Sequence, residues 1–181
     1  MAYVFFGITC FLATTFALAF FTKVRSLESF LRFEQSIGHL AVLPPRAGRP
    51  AAMAIVVCEG ATVLLLALPV TRGFGFLLAS VLLVVFIGVA VRAVRKGVIA
   101  ECRCFGRKGS IMSTAMIIRN AIMIALAATG SLLSADGASR SMAYTICAAA
   151  LGTLTAVLYV RYYDDAVRAI AKRLPATAEL S

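Results

Sequence analysis

Two cysteines separated by a single residue are the feature of this sequence that most directly indicates chemistry. Cys102 and Cys104 lie in a loop with three basic residues, Arg103, Arg107 and Lys108. Nearby positive charge stabilises thiolate, which is the reactive form of cysteine. A disulfide between cysteines this close is strained and easily reduced. The pair therefore indicates thiol–disulfide exchange, and the alternative is two ordinary loop residues.

A metal site at this cysteine pair has little support, and we predict none. Two thiolates require further ligands, and the only histidine, His39, lies in another loop. The remaining cysteines, Cys10, Cys58 and Cys147, lie inside apolar blocks. Cysteine in such surroundings usually behaves as a small apolar residue.

Ionisable side chains inside apolar blocks form a second group of candidates. Glu59 and Arg119 lie within predicted membrane spans, where an unpaired charge is costly. The helical rise places them about 13 Å and 12 Å from the same membrane surface. We therefore predict that they pair, with Asn120 as a further polar contact, either to fix helix packing or to take part in function. Lys23, at the end of the first block, is most simply predicted to reach the lipid head groups as an anchor. It is also grouped with Glu59, Arg119 and Asn120 as a supporting polar residue.

We predict that these candidate residues are held in place by membrane helices. Of 181 residues, 61% are apolar and 14% are charged, whereas soluble domains carry about 25% charged residues. The apolar residues form long blocks, and a helix needs about 20 of them to cross a bilayer. Every backbone amide within lipid must be paired, so each block predicts a helix. These features exclude a soluble enzyme domain.

We predict an all-α polytopic membrane bundle of four to five transmembrane helices plus an interfacial amphipathic helix. The predicted spans are residues 3–22, 50–70, 74–94, 111–133 and 142–160. Residues 26–49 alternate apolar and polar side chains with a helical period, which is typical of a helix at the interface or under the bundle. We assign residues 1–163 to a single transmembrane domain and residues 164–181 to a basic cytoplasmic tail.

The distribution of lysine and arginine predicts the orientation. The first and third loops and the tail contain fifteen of these residues, whereas the other two loops contain one each, Arg72 and Arg140. The positive-inside rule then places the N-terminus outside. We predict that the protein lies in the bacterial inner membrane, with its C-terminus and the Cys102–Cys104 loop on the cytoplasmic side. The net charge of +10 is thus attributed to contact with the lipid bilayer, and nucleic-acid binding is not expected.

The order of these features resembles that of a known family. The features are a first span ending Phe21-Thr22-Lys23-Val24, an amphipathic stretch reaching Leu43-Pro44, a span containing Glu59, the segment Cys102-Arg103-Cys104-Phe105-Gly106, and a span that opens near Ser113 and contains Arg119-Asn120. The arrangement covers about residues 1–135. It is similar to the methylamine utilisation protein MauE family, which is grouped with the DoxX-like redox-associated membrane proteins.

This resemblance implies an accessory role in the maturation of an exported enzyme. The implied client is the small subunit of methylamine dehydrogenase, a periplasmic protein with many disulfides and a tryptophan-derived quinone. Thiol–disulfide oxidoreductase-like activity is implied, with Cys102 and Cys104 as the exchanging thiols and Glu59 and Arg119 shaping the polar interior beside them. No cofactor is assigned with certainty, and the electron partner is either a quinone or a thiol redox partner.

The predicted orientation leaves the route of the electrons open. An exported client requires oxidation outside, whereas the charge distribution places Cys102 and Cys104 inside. Either the protein uses a cytoplasmic thiol pool or the loop dips into the bundle. Two other classes of function also remain: a small transporter or channel with Glu59 and Arg119 lining the path, and a structural membrane anchor.

Overall fold

The computed structural model describes residues 2–39, 45–95, 101–102, 110–111, 114–133 and 142–173. In these ranges the chain forms six α-helices, two 3-10 turns and one pair of two-residue strands. In chain order they are α1 (Ala2–Val24), α2 (Leu27–His39), a 3-10 turn (Pro45–Ala47), α3 (Gly48–Ala67), a second 3-10 turn (Pro69–Thr71), α4 (Arg72–Arg95), β1 (Glu101–Cys102), β2 (Ser110–Ile111), α5 (Thr114–Leu133) and α6 (Met142–Arg173). The predicted helical membrane bundle is confirmed.

Four of the helices are long and apolar enough to cross a bilayer. These stretches are Tyr3–Val24, Gly48–Ala67, Pro69–Arg92 and Ile146–Tyr163, and α5 adds a shorter apolar stretch, Ile117–Leu133. Large apolar side chains point outward from them, including Leu64 on α3 and Leu77 on α4, which are 67% and 62% exposed. Rows of exposed apolar side chains of this kind suit lipid and not water. The chain is therefore a multi-pass membrane protein.

Contacts between helices show the direction in which each one runs. Gly7 lies near Ala148 and Gly152, and Phe11 stacks on Tyr159 farther along both helices, so α1 and α6 are parallel. Parallel first and last spans require an odd number of crossings between them. The helices α3, α4 and α5 supply three, so α5 also traverses the bundle.

The helix α1 lies at the centre of the bundle and packs against α3, α5 and α6. Its apolar residues form the main core together with side chains from α3, α4, α5 and α6. Polar side chains within α1 are satisfied locally, since Thr9 and Thr15 each donate to the main-chain carbonyl four residues earlier. The centre of the bundle is thus mostly apolar, and charged side chains buried in the bundle are exceptions to this composition.

Two boundaries differ from those expected from the apolar blocks. The fourth span was expected from Ile111, but Ser110 and Ile111 form strand β2 and the helix begins at Thr114. Hydropathy does not distinguish an apolar strand residue from an apolar helix residue. The last helix continues to Arg173, past the apolar stretch and through the first part of the predicted tail. Residues 174–181 of that tail lie outside the described residues.

Candidate functional site

A buried ion pair between α1 and α3 is the principal polar feature of the bundle. The ammonium group of Lys23 donates to both carboxylate oxygens of Glu59, at 2.5 and 2.8 Å. The two side chains are 2% and 1% exposed. Removing either partner from such a pair leaves an uncompensated buried charge, which typically destabilises a protein by about 3–5 kcal/mol. The pair therefore ties the end of α1 to the middle of α3.

This pairing corrects the prediction that Glu59 pairs with Arg119. Both carboxylate oxygens of Glu59 are bonded to Lys23. Arg119 is itself buried, at 4% exposed, and its main-chain carbonyl accepts a hydrogen bond from the Tyr159 hydroxyl at 3.3 Å. The estimate of depth along each helix identified two charges at similar levels. It did not identify Lys23 as the partner of Glu59.

The prediction that Lys23 is a head-group anchor is also wrong, for a reason visible in the fold. Lysine at the end of an apolar block usually extends to the membrane surface. Here Glu59 lies about 16 Å from the start of α3 by helical rise. The first part of α3 therefore extends beyond the end of α1. Helix α2 packs into the space beyond the end of α1, and the Phe33 ring covers the Lys23 ammonium at 4.7 Å. Lys23 is consequently buried.

Helix α2 reaches this position through its apolar face. Phe33 and Ile37 are buried and one turn apart, and they form a cluster with Ala52 and Val56 of α3 and Ala90 of α4. The amphipathic helix predicted from residues 26–49 is thus tucked against the bundle. Phe33 lies within that predicted helix and was not identified as a candidate site residue. Its contact with Lys23 has no signal in the sequence, because it depends on where α2 docks.

Arg119 and Asn120 lie in the same layer as the ion pair. Ile117 of α5 and Val56 of α3 pack in the same cluster. Asn120 and Glu59 each follow those residues by three positions, about 4.5 Å farther along their helices. Asn120 is 2% exposed, and its Nδ2 atom is buried without a hydrogen-bond acceptor among the described residues. The structure therefore buries Lys23, Glu59, Arg119 and Asn120 in one half of the bundle.

Strand β1, which contains Cys102, lies at the same end of the bundle as this layer, since it follows α4 and precedes α5. The backbone of Cys102 is in β1 and pairs with Ser110 of β2 in an antiparallel register. Strand β1 lies against α2. Cys104 lies outside the described residues, as does the side chain of Cys102. The main chain of Cys102 is therefore located beside the helix that covers the ion pair.

The other cysteines lie apart from this hairpin. Cys10 and Cys58 are half-buried in α1 and α3, and Cys147 is exposed on α6; all three are free thiols. His39, the last residue of α2, has a side chain outside the described set. Over the described part of the chain, no three histidine, cysteine, aspartate or glutamate residues come together as a metal site would require.

The sequence was compared with known families, curated proteins and solved structures. The model of one family, described as methylamine utilisation protein MauE, matches residues 1–134. No curated protein and no solved structure matches the chain. The match includes the ion pair, α2 and the cysteine pair, and it ends before α6.

Proposed function

This chain belongs to the methylamine utilisation protein MauE family, and on that basis we propose that it assists the maturation of an exported enzyme by thiol–disulfide exchange. Membership makes it a membrane protein of methylamine utilisation. The proposed client is the small subunit of methylamine dehydrogenase. The proposed exchanging residues are Cys102 and Cys104, and the proposed location is the bacterial inner membrane.

The observation that carries this proposal is the position of Cys102. Its backbone is paired with Ser110 at one end of the bundle, beside α2. The following residues Arg103, Arg107 and Lys108 supply positive charge in the same loop, which favours thiolate. A thiol on a strand pair at the end of a membrane bundle can be reached by a protein on the same side of the membrane, whereas one inside the bundle cannot.

The proposed exchange begins with a disulfide between Cys102 and Cys104. A thiolate of the client attacks one sulfur of this disulfide and forms a mixed disulfide, and the other cysteine leaves as thiolate. A second client thiolate then attacks the mixed disulfide, which releases the client with a new disulfide. The cysteine pair has gained two electrons and, after protonation, two protons. A quinone or a second disulfide must accept them to restore the starting state.

Complementation of a strain that lacks this protein tests the proposal. We expect Cys102→Ser and Cys104→Ser each to insert normally and to abolish formation of mature client. The matched control is the triple variant Cys10→Ser/Cys58→Ser/Cys147→Ser, which changes the three remaining thiols and should retain function. Full function of both single variants would exclude exchange at this pair.

Thiol trapping in intact cells locates the pair and its redox state. A membrane-impermeant maleimide is applied with and without prior reduction. Labelling that requires both permeabilisation and reduction would support a disulfide on the cytoplasmic side. Labelling from outside would reverse the proposed orientation and bring the pair within reach of a periplasmic client. Free thiols under every condition would contradict the exchange reaction.

Transport of a small solute is a second candidate, and the buried polar layer is the observation that favours it. Ionisable side chains within a membrane commonly mark a substrate or ion pathway, and here Lys23, Glu59 and Arg119 are buried together. This candidate predicts that Glu59→Gln abolishes solute movement in liposomes and that the Cys102 and Cys104 variants remain active. The exchange proposal predicts the reverse: the Cys102 and Cys104 variants lose function, whereas Glu59→Gln is affected less.

A further inference from the structure

We propose that the Lys23–Glu59 ion pair is a positioning device for the thiol hairpin, with Phe33 and α2 as the connecting parts. The hairpin is the β1–β2 pair that contains Cys102. The significance of this inference rests on the proposed exchange function, but its test requires neither a client nor an electron acceptor. Lys23, Glu59 and Phe33 are positioning residues, since none of them belongs to the reacting pair.

The first connection is between the ion pair and α2. The Lys23 ammonium has three hydrogens, and it bonds both oxygens of Glu59 while facing the Phe33 ring at 4.7 Å. A cation over an aromatic face is attracted by the ring quadrupole, more strongly where water is excluded. Phe33 is 2% exposed, so the contact is dry. Glu59 fixes the position of the ammonium, and the ammonium in turn attracts the ring.

The second connection is that α2 docks through one face only. Its buried side chains, Phe33 and Ile37, contact α3 and α4. The opposite face carries Leu27, which is 74% exposed, and an exposed ion pair between Glu28 and Arg32. Exposed ion pairs contribute little to stability. The docking of α2 therefore depends on the face that includes the Phe33–Lys23 contact.

The third connection is between α2 and the cysteine strand. Strand β1 lies against α2, and among the described residues it pairs with β2 through Glu101 with Ile111 and Cys102 with Ser110. Two-stranded hairpins without further packing are at best marginally stable in water. The position of this short hairpin accordingly depends on the helix beside it. A strand packed against a helix is less accessible to a reagent than a free strand, so loosening α2 should raise the rate at which Cys102 reacts.

The alkylation rate of Cys102 in the purified, folded protein tests this inference. The background carries serine at Cys10, Cys58, Cys104 and Cys147, so that Cys102 is the only thiol. Phe33→Leu keeps an apolar side chain and removes the ring, whereas Glu59→Gln removes the charge that holds the ammonium. We expect Phe33→Leu to raise the maleimide rate constant about thirtyfold, the scale of losing one desolvated cation–π contact, and Glu59→Gln to raise it at least as much. Glu28→Gln, an exposed change on the same helix, is the matched control and should leave the rate within twofold.

Two further measurements separate positioning from general loosening. Hydrogen exchange of the α2 amides should accelerate in Phe33→Leu, which verifies that the helix has loosened. A second background that retains only Cys10, in the other half of α1, should show an unchanged alkylation rate with Phe33→Leu. Equal acceleration at Cys10 and Cys102 would mean that the whole bundle loosens, and it would overturn the inference.

The remaining outcomes also decide the matter. If α2 exchanges faster and the Cys102 rate stays constant, the hairpin does not depend on α2 and the inference fails. If neither changes in Phe33→Leu, the ring does not hold α2 and the inference fails at its first step. Because the alkylation assay contains no client, its result is independent of the complementation test, in which full function of the Cys102→Ser and Cys104→Ser variants would refute the exchange function. The hairpin can be positioned by the ion pair even if its thiols serve another reaction.

Discussion

Gly7 of α1 and Gly152 of α6 lie in direct backbone contact. A Cβ atom added at residue 152 would overlap the carbonyl oxygen of Gly7. Small residues at helix contacts allow backbones to approach closely within a membrane, where van der Waals packing and not hydrophobic burial drives association. Helix α6 lies beyond the part of the chain that matches the MauE family model. It nevertheless packs closely against the central helix α1 at this contact.

We expect Gly152→Ala to destabilise the protein by about 1–3 kcal/mol, as overpacking of a close contact does. The added methyl group would force α1 and α6 apart. Gly88→Ala is the matched control, since a Cβ at residue 88 meets nothing within 4 Å and alanine favours a helix. Thermal unfolding in detergent compares the two variants. Equal stability of Gly152→Ala and the unmodified protein would contradict the close contact.

Glu59→Gln should destabilise the protein by about 3–5 kcal/mol, because it leaves the Lys23 ammonium buried without its counter-charge. The double variant Lys23→Met/Glu59→Leu removes both charges and keeps similar volumes, so it should regain more than half of that loss. A double-mutant cycle that also includes Lys23→Met alone and Glu59→Leu alone, measured by denaturant unfolding, gives the coupling between the two residues. Additive effects of the two single substitutions would show that the pair is not coupled.

Asn120→Leu is expected to be neutral or to stabilise the protein by about 1 kcal/mol. The Asn120 Nδ2 atom is buried without an acceptor among the described residues, and an unsatisfied buried donor costs about 1–3 kcal/mol. Asn120→Asp, which places an acid at the same position, is the contrasting variant and should destabilise. The midpoint of thermal unfolding measures the effect of each of the two substitutions on stability. A clear loss of stability in Asn120→Leu would show that the amide makes hydrogen bonds that leucine cannot replace.

The helix directions and the charge distribution together predict which end of the bundle faces outside. Val70, in the turn between α3 and α4, is 93% exposed, and Arg46 is exposed in the turn before α3. In a cysteine-free background, we expect Val70→Cys to react with an impermeant maleimide in intact cells. Arg46→Cys should react only after permeabilisation. The reverse pattern would invert the orientation, and labelling of both from outside would contradict α3 as a span.

The class of fold and the candidate residues could be predicted from the sequence because they depend on local composition. A block of about 20 apolar residues has no stable state in lipid other than a helix. The polar residues Glu59, Arg119 and Asn120 are conspicuous inside such blocks for the same reason. The apolar face of α2, with Phe33 and Ile37 one turn apart, is equally a property of a short segment. The C-x-C pair is read directly from its spacing.

Which of these residues meet depends on the tertiary structure. Hydropathy gives the length of a helix but not how far its neighbour extends beyond its end, so Lys23 looks like a surface anchor until α3 and α2 enclose it. The partner of Glu59 depends on how α1, α2 and α3 pack together, and these helices bring together residues that are far apart in the sequence. The contact of α2 with β1 depends on a docking that no local pattern encodes. Local composition determines burial in the membrane, whereas the pairing of buried charges is set by the packing of whole helices.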